Sequence, residues 1–219
     1  MSTTVKKRNG RGTEPLNLDK MHKMVEEACK DVAGVSASQV EIQSGIQFYD
    51  GITTAEIQEI LIKSASDLID LENPNYQYVA ARLLLFSLRK SLYGRTRELP
   101  HLESQIMGCT SMDVYDKEIF NKYSKEEIDK ANGFIDHSRD FLFTYAGLRQ
   151  VVDKYLVQDR SNGQAYETPQ FMYIMIALTI FQNYSKEKRL NYVRRYYDAI
   201  SKHKLNIPTP IMAGVRTPL

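Results

Sequence analysis

Cysteine is scarce in this sequence. Cys29 and Cys109 are the only two in 219 residues, and they lie far apart. Neither a disulfide framework nor a four-ligand zinc site can be built from them, and so few cysteines suit a reducing cytoplasm. Long hydrophobic runs are lacking too. The longest, FMYIMIALTIF from Phe171 to Phe181, is well short of the ~20 residues of a membrane span and reads as a buried core helix. The first residues are polar and basic with no apolar stretch behind them, so no signal peptide is read and a cytoplasmic protein is expected. Net charge is nearly absent: 29 basic residues against 27 acidic ones leave +2. That excludes a global nucleic-acid footprint, and any anion site must be local. The four histidines, His22, His101, His137 and His203, are scattered. They show no metal-ligand spacing such as HExxH, and no nucleophile motif accompanies them, so no metal and no catalytic group is expected in this chain. His137, in IDHSRD beside Asp136 and Asp140, is expected to make a structural polar contact. Internal repeats and low-complexity tracts are also missing.

What remains is an ordinary globular composition, 42% hydrophobic and 26% charged, long enough for one large domain or two small ones. Residues 3–16 read as a short hairpin, with Val5 opening a strand, Asn9-Gly10 and Gly12 in the turn, and Glu14 to Leu16 returning. Asn17 or Asp19 then caps a helix whose apolar face is Met21, Met24, Val25, Ala28, Cys29 and Val32, which makes Cys29 a core residue. A second helix starts at the Ser38–Glu41 capping box and ends near the Asp50-Gly51 turn. Thr53-Thr54-Ala55-Glu56 is another capping box, opening a helix with Ile57, Ile60, Leu61, Ala65, Leu68 and Ile69 on one face. Pro74 sits in the first turn of a fourth helix that runs to a Gly94 stop. GRTRELP, residues 94–100, reads as a linker. Beyond it the pattern stays helical, with a third capping box at Ser124–Glu127. A β-hairpin is read around Asn162-Gly163, and Thr168-Pro169 caps the apolar helix. A last helix from Ser185 to His203 leads into NIPTPIMAGVRTPL, where three prolines exclude continued helix. The fold class is mainly α. Residues 1–93 form one unit, 94–100 a linker and 101–219 a helical domain with a small β-hairpin.

The opening stretch VKKRNGRGTEPLNLDK places cations on a tight turn that leads into a helix start. A nucleoside triphosphate wants both cationic side chains and unpaired backbone N–H groups. Lys7 and Arg8 offer the first, and the helix after Leu16 offers the second together with the positive end of its dipole. Lys20 can fold back from the first turn, and Lys90 is a third cationic arm if the fourth helix packs against the hairpin. Asn17 or Glu14 could read base or ribose. The same residues also fit a solvated basic turn with a well-capped helix, and spacing alone does not separate the two.

Four pieces of text, KKRNG, EPLNLDK, IQFYDGITT and YQYVAARLLLFSLRK, carry a resemblance. The stretch from Val5 to about Tyr93 resembles the ATP-cone, the allosteric nucleotide-binding module of ribonucleotide reductases. Further on, FIDHSRD, KYLVQ, YETPQFMYI and above all PTPIMAGVRTP resemble the N-terminal helical domain of the class I ribonucleoside-diphosphate reductase large subunit. The resemblance implies that Lys7, with Arg8 beside it, meets the phosphates of ATP or dATP, bound as the allosteric effector with Mg. It implies that Glu14, Pro15, Leu16, Asn17, Leu18, Asp19 and Lys20 wrap base and ribose and end in a phosphate-facing lysine. Thr54 and Lys90 complete the pocket, and Thr209 lies at the substrate diphosphate. Two departures touch the pocket. Gln58 stands where the family often has histidine, and the first loop is one residue longer, at Arg11-Gly12.

The family reduces ribonucleoside diphosphates to deoxyribonucleoside diphosphates for DNA synthesis. It uses a barrel cysteine radical, a redox cysteine pair and a separate small subunit that holds a di-iron radical centre. The first cysteine of the pair is expected just after VRTP, beyond Leu219. This chain is therefore expected to be inactive without the barrel portion and the small subunit. It is either the natural N-terminal piece of a split large subunit or a shortened piece of a longer chain. The rival reading is a free-standing nucleotide-sensing regulator. ATP-cones also occur in a transcriptional repressor joined to a four-cysteine zinc ribbon, and two cysteines cannot build that ribbon.

Overall fold

Val5 is 3% exposed although four of its near neighbours are lysine or arginine. The reason is a three-stranded sheet. In the computed structural model, which describes residues 4–7, 12–45 and 47–218, β1 (Thr4–Lys6) lies between β2 (Thr13–Pro15) and β3 (Ile52–Thr53). β1 and β2 run antiparallel with Val5 opposite Glu14. β1 and β3 run parallel with Val5 beside Ile52, which is also buried. The hairpin turn expected at Asn9-Gly10, and Arg8 with it, lies outside the described residues.

β3 was not expected. Its two residues become a strand because the preceding turn is bound to β1. The Asp50 carboxylate accepts from the Thr4 amide at 2.8 Å and its hydroxyl at 2.7 Å, and the Gly51 amide donates to the Thr4 carbonyl at 2.9 Å. Gly51 has φ +80°, a left-handed conformation that glycine adopts without steric cost.

α1 (Leu18–Cys29) starts where expected, with the Asn17 side chain accepting from the Lys20 amide at 2.9 Å. Its Val25 and Ala28 are buried, but Cys29 is only half-buried, at the rim of the core rather than within it. α2 (Ala37–Gly45) begins before Ser38, which lies inside the helix rather than at its cap, and ends well before Tyr49. The amide of Ser36, just before the helix, donates to the Tyr76 hydroxyl at 3.0 Å. α3 (Thr54–Asp67) opens with the full Thr53–Glu56 capping box. α4 (Tyr76–Tyr93) starts two residues after Pro74, which belongs to a preceding turn, and stops at Gly94 with φ +69°. Arg82 of α4 donates to the carbonyls of Ala28 and Lys30, closing the C-terminal end of α1 where helical carbonyls lack partners.

Two compact units result. One comprises Met1–Ser87 with Phe143–Arg149, the other Leu88–Leu142 with Gln150–Leu219. The boundary falls within α4. The second unit contains α5 (Leu102–Ser111), α6 (Ile119–Lys122), α7 (Lys125–Asn132), a 3-10 helix at His137–Leu142, and the hairpin β4 (Gln158–Asp159) and β5 (Gln164–Ala165). α8 (Tyr145–Lys154), like α4, has residues in both units.

At the centre of the second unit is α9 (Pro169–Phe181), buried at every residue from Pro169 to Leu178. A helix apolar all round must be covered all round. Each large side chain so buried contributes about 1.5–3 kcal/mol. α10 (Lys186–Ser201) packs along it, and the Tyr123 hydroxyl donates to the Leu178 carbonyl at 2.8 Å. Thr168 stands at the N-cap of α9, but its hydroxyl makes no cap hydrogen bond; Pro169 in the first turn sets the start instead. The Ser124–Glu127 capping box forms on α7 as expected.

Two expectations are corrected here. The C-terminal segment is not irregular throughout: Thr209–Gly214 forms a short helix, α11. Pro208 occupies its cap and Pro210 its first turn, positions where a missing N–H costs nothing. His137 makes no side-chain polar contact among the described residues. Its ring packs edge-on to Phe171 at 5.0 Å, and burial pushes its pKa down to about 4.

Candidate nucleotide-binding site

The small sheet gathers most of the residues singled out in the first unit. Lys7 follows β1, and its amide donates to the Gly12 carbonyl at 3.2 Å, closing the described part of the hairpin. Its Nζ lies 3.2 Å from Glu14 Oε2, with both side chains substantially exposed. Glu14 and Pro15 belong to β2, Leu16 and Asn17 connect it to α1, and Leu18, Asp19 and Lys20 form the first turn of that helix. Leu18 is 58% exposed, so this helix start, with its positive dipole end, opens to solvent.

Thr54 is the first residue of α3, directly after β3. The register places Pro15 opposite Thr4 and Thr53 beside Lys6. The two helix starts therefore leave opposite ends of β1, which are about 7 Å apart at the strand rise of ~3.4 Å per residue. Lys90 is exposed in the last turn of α4 and belongs to the second compact unit. Thr209, also in that unit, is exposed at the first position of α11.

Sequence reasoning missed the acidic half of this region. The Glu56 carboxylate accepts from the Thr53 hydroxyl at 2.6 Å, the Thr53 amide at 2.8 Å and the Tyr49 hydroxyl at 2.7 Å. These bonds, with the nearby Lys6 charge adding to them, push its pKa down to about 2. Its role as a cap was legible; the Tyr49 bond was not, because it arises from the turn that β3 imposes. Asp50 is likewise held below the usual range by its bonds to Thr4. His22 on α1 bridges Glu41 at 2.7 Å and Glu26 at 3.1 Å, and the Glu41 hydrogen bond raises its pKa. Gln58, 4% exposed, turns its amide toward Met24 Sδ at 3.7 Å, so it faces α1.

A group that could hold a metal ion also occurs in the second unit, at His101, Glu103 and Asp129. His101 caps α5 by accepting from the Glu103 amide at Nδ1, 3.3 Å away, and its Nε2 lies 3.8 Å from Asp129. No helix among the described residues is long and apolar enough to cross a membrane.

The sequence matches two known domains in succession. Residues 3–91 match the ATP cone domain, and residues 141–219 match the family described as ribonucleotide reductase, all-alpha domain. The chain is 50% identical over 214 residues to ribonucleoside-diphosphate reductase 1 subunit alpha of Escherichia coli (strain K12), covering 98% of this chain and 28% of that protein. It is 48% identical over 217 residues to the alpha subunit of Haemophilus influenzae, with 99% and 28% covered. Against the alpha subunit of Enterobacteria phage T4 the identity is 45% over 187 residues, covering 84% and 24%. The chain belongs to the ribonucleoside-diphosphate reductase alpha-subunit family and corresponds to the N-terminal part of those subunits, spanning 28% of the length of the two bacterial relatives.

Proposed function

We propose that this chain is the allosteric part of a ribonucleoside-diphosphate reductase. In this reading it binds ATP or dATP at its cone and contributes to reduction of ribonucleoside diphosphates when joined by the barrel portion and the radical-generating small subunit, in the cytoplasm. The observation that carries the reading is the order of the two matched domains within one chain, cone first and reductase helical domain second. We assign the nucleotide module to residues 1–93, a connecting segment to 94–100 and the reductase domain to 101–219.

In the cone, Lys7, Arg8 and Lys20 supply positive charge and α1 supplies its N-terminal dipole. Asn17 is already committed to the Lys20 amide, so it shapes the helix start, while Glu14, Pro15, Leu16, Leu18 and Asp19 border the base and ribose. Thr54, at the start of α3, completes the set within that unit. Glu14 is paired with Lys7, which favours Mg2+ arriving on the phosphate oxygens rather than in a protein cage. Thr209 meets the substrate diphosphate. The di-iron centre belongs to the partner small subunit. Nucleotide binding acts by population shift, to the extent that ATP and dATP favour different assemblies of the subunits.

Calorimetric titration of this chain with ATP and with dATP tests the first half. Binding of either, weakened about tenfold in Lys7→Ala through loss of a charge-assisted phosphate contact, is expected. Absence of binding by both nucleotides would sink it. CDP reduction by the chain combined with the barrel portion and small subunit, and by none of them alone, tests the second.

A further inference from the structure

The most completely buried ion pair among the described residues lies away from the cone. Arg216 and Glu167 both have side chains at 0% exposure. Arg216 Nε donates to both Glu167 oxygens at 3.0 Å, and its Nη2 donates to Glu167 Oε1 and to the Tyr155 carbonyl at 2.9 Å. Its Nη1 donates to the Met212 carbonyl at 2.6 Å. Glu167 is held in turn by the Tyr115 hydroxyl at 2.5 Å and the Val157 amide at 2.8 Å. The Arg216 carbonyl accepts from the Asp116 amide at 3.0 Å. Every partner comes from the second compact unit.

What this cluster grips is α11. That helix has six residues, none of them buried, and no side-chain cap at its start. Isolated helices need about 12–15 residues to be even marginal in water, so α11 depends on tertiary anchoring for its place. The Met212 carbonyl, held by Arg216, lies one turn after Thr209, the first residue of the helix. A buried ion pair adds little net stability compared with apolar residues of the same volume. Fixing a geometry is the better account of its presence.

We infer that Arg216 and Glu167 are positioning residues for Thr209. They fix the turn that presents its hydroxyl to the substrate diphosphate, acting through the α11 backbone rather than by touching substrate. The inference rests on the proposed placement of Thr209 at that diphosphate.

The test uses the chain in complex with the barrel portion and the small subunit, with CDP as substrate. Thr209→Val is the reference. It raises KM for CDP if the threonine meets the diphosphate, and an unchanged KM overturns that placement and this inference together. Arg216→Lys and Glu167→Gln are expected to raise KM about tenfold, the size of one lost phosphate hydrogen bond, with kcat nearly unchanged and ATP binding at the cone unaltered. If Thr209→Val raises KM and these two do not, the positioning role is refuted while the proposed function stands. The double variant R216M/E167L replaces the pair by apolar groups of similar volume. It is expected to fold and to keep the raised KM. Recovery of wild-type KM in it, or unfolding of the helical unit by both single variants with no KM effect in the double variant, would assign the pair to stability alone and overturn the inference.

Discussion

Replacing Asp140 by Asn is expected to destabilise the second unit far more than its change of one heavy atom suggests. Asp140 is 1% exposed and Arg89 5%. One Asp140 oxygen accepts from Arg89 Nη2 at 2.8 Å and the other from Gln170 Nε2 at 2.9 Å. Gln170 Oε1 in turn accepts from the Tyr197 hydroxyl at 2.6 Å, and the Tyr197 oxygen accepts from the Asp136 amide at 2.9 Å. An asparagine offers one acceptor where the aspartate offers two. If its oxygen faces Arg89, its NH2 meets the Gln170 NH2; flipping Gln170 then breaks the bond to Tyr197. Arg89 keeps the carbonyls of Thr96 and His137 but loses its counter-charge. Breaking a buried pair from one side costs about 3–5 kcal/mol. At about 2–4 °C per kcal/mol for a chain of this size, the transition of the second unit falls by about 6–20 °C.

Calorimetry resolved into two transitions is the assay, because two compact units need not unfold as one. R89M/D140L, which removes both charges, is expected to recover part of that loss, the Gln170 NH2 still lacking its acceptor. A loss below about 2 °C for Asp140→Asn, or a double variant no better than the single one, would refute the claim that the uncompensated guanidinium sets the cost.

Glu56 titrates with a pKa pushed down to about 2, from an ordinary 4.5. Its contribution to stability is therefore present above pH 4.5 and lost as pH falls toward 2. Tyr49→Phe removes one of the donors and should move the Glu56 midpoint up in a carboxyl NMR titration; an unmoved midpoint would show that the tyrosine bond is not made in solution. Gly51→Ala places a side chain at φ +80°, where its Cβ would meet only Lys6 Cε at an ordinary 3.8 Å. The cost is then conformational alone, about 1–2 kcal/mol, and a urea midpoint equal to the parent's would contradict it. Burial pushes Cys109 up to about 12 and Cys29 to about 11. Both thiols should react slowly with a disulfide reagent at pH 8 and rapidly in denaturant, and labelling of the native chain at the rate of an open thiol would overturn that.

What the sequence made legible was what is local in it. Asn17, Thr53 and Ser124 each accept from an amide three residues on, so each cap could be read from four adjacent letters. The all-round burial of α9 followed from an unbroken apolar run. The misses are non-local. Ile52–Thr53 becomes a strand only by pairing with Val5 and Lys6, and no pattern two residues long announces that. Prolines 208 and 210 were read as breakers because their positions relative to a helix start could not be known before the helix was. The polar clusters were invisible for the same reason. Arg216 and Glu167 are 49 residues apart and Arg89 and Asp140 are 51 apart. A lone arginine in GVRTP or in FSLRK looks like any solvated cation until its burial is known.

Burial also separates two ion pairs of this chain, and the proposed roles of their residues ask for that difference. Lys7 and Glu14 form an ion pair with side chains 46% and 36% exposed. An exposed pair of this kind holds by no more than about 1 kcal/mol, so a triphosphate can draw Lys7 from Glu14 at little cost. Arg216 cannot be drawn from Glu167 in that way, because its removal would strand a carboxylate with no water to receive it. A residue that has to change partners when a ligand arrives must be paired loosely and near solvent. A residue that has to keep a neighbouring backbone in place through every turnover must be paired without solvent. The cone's small sheet, edged with exposed charge, meets the first requirement, and the cluster beneath α11 meets the second.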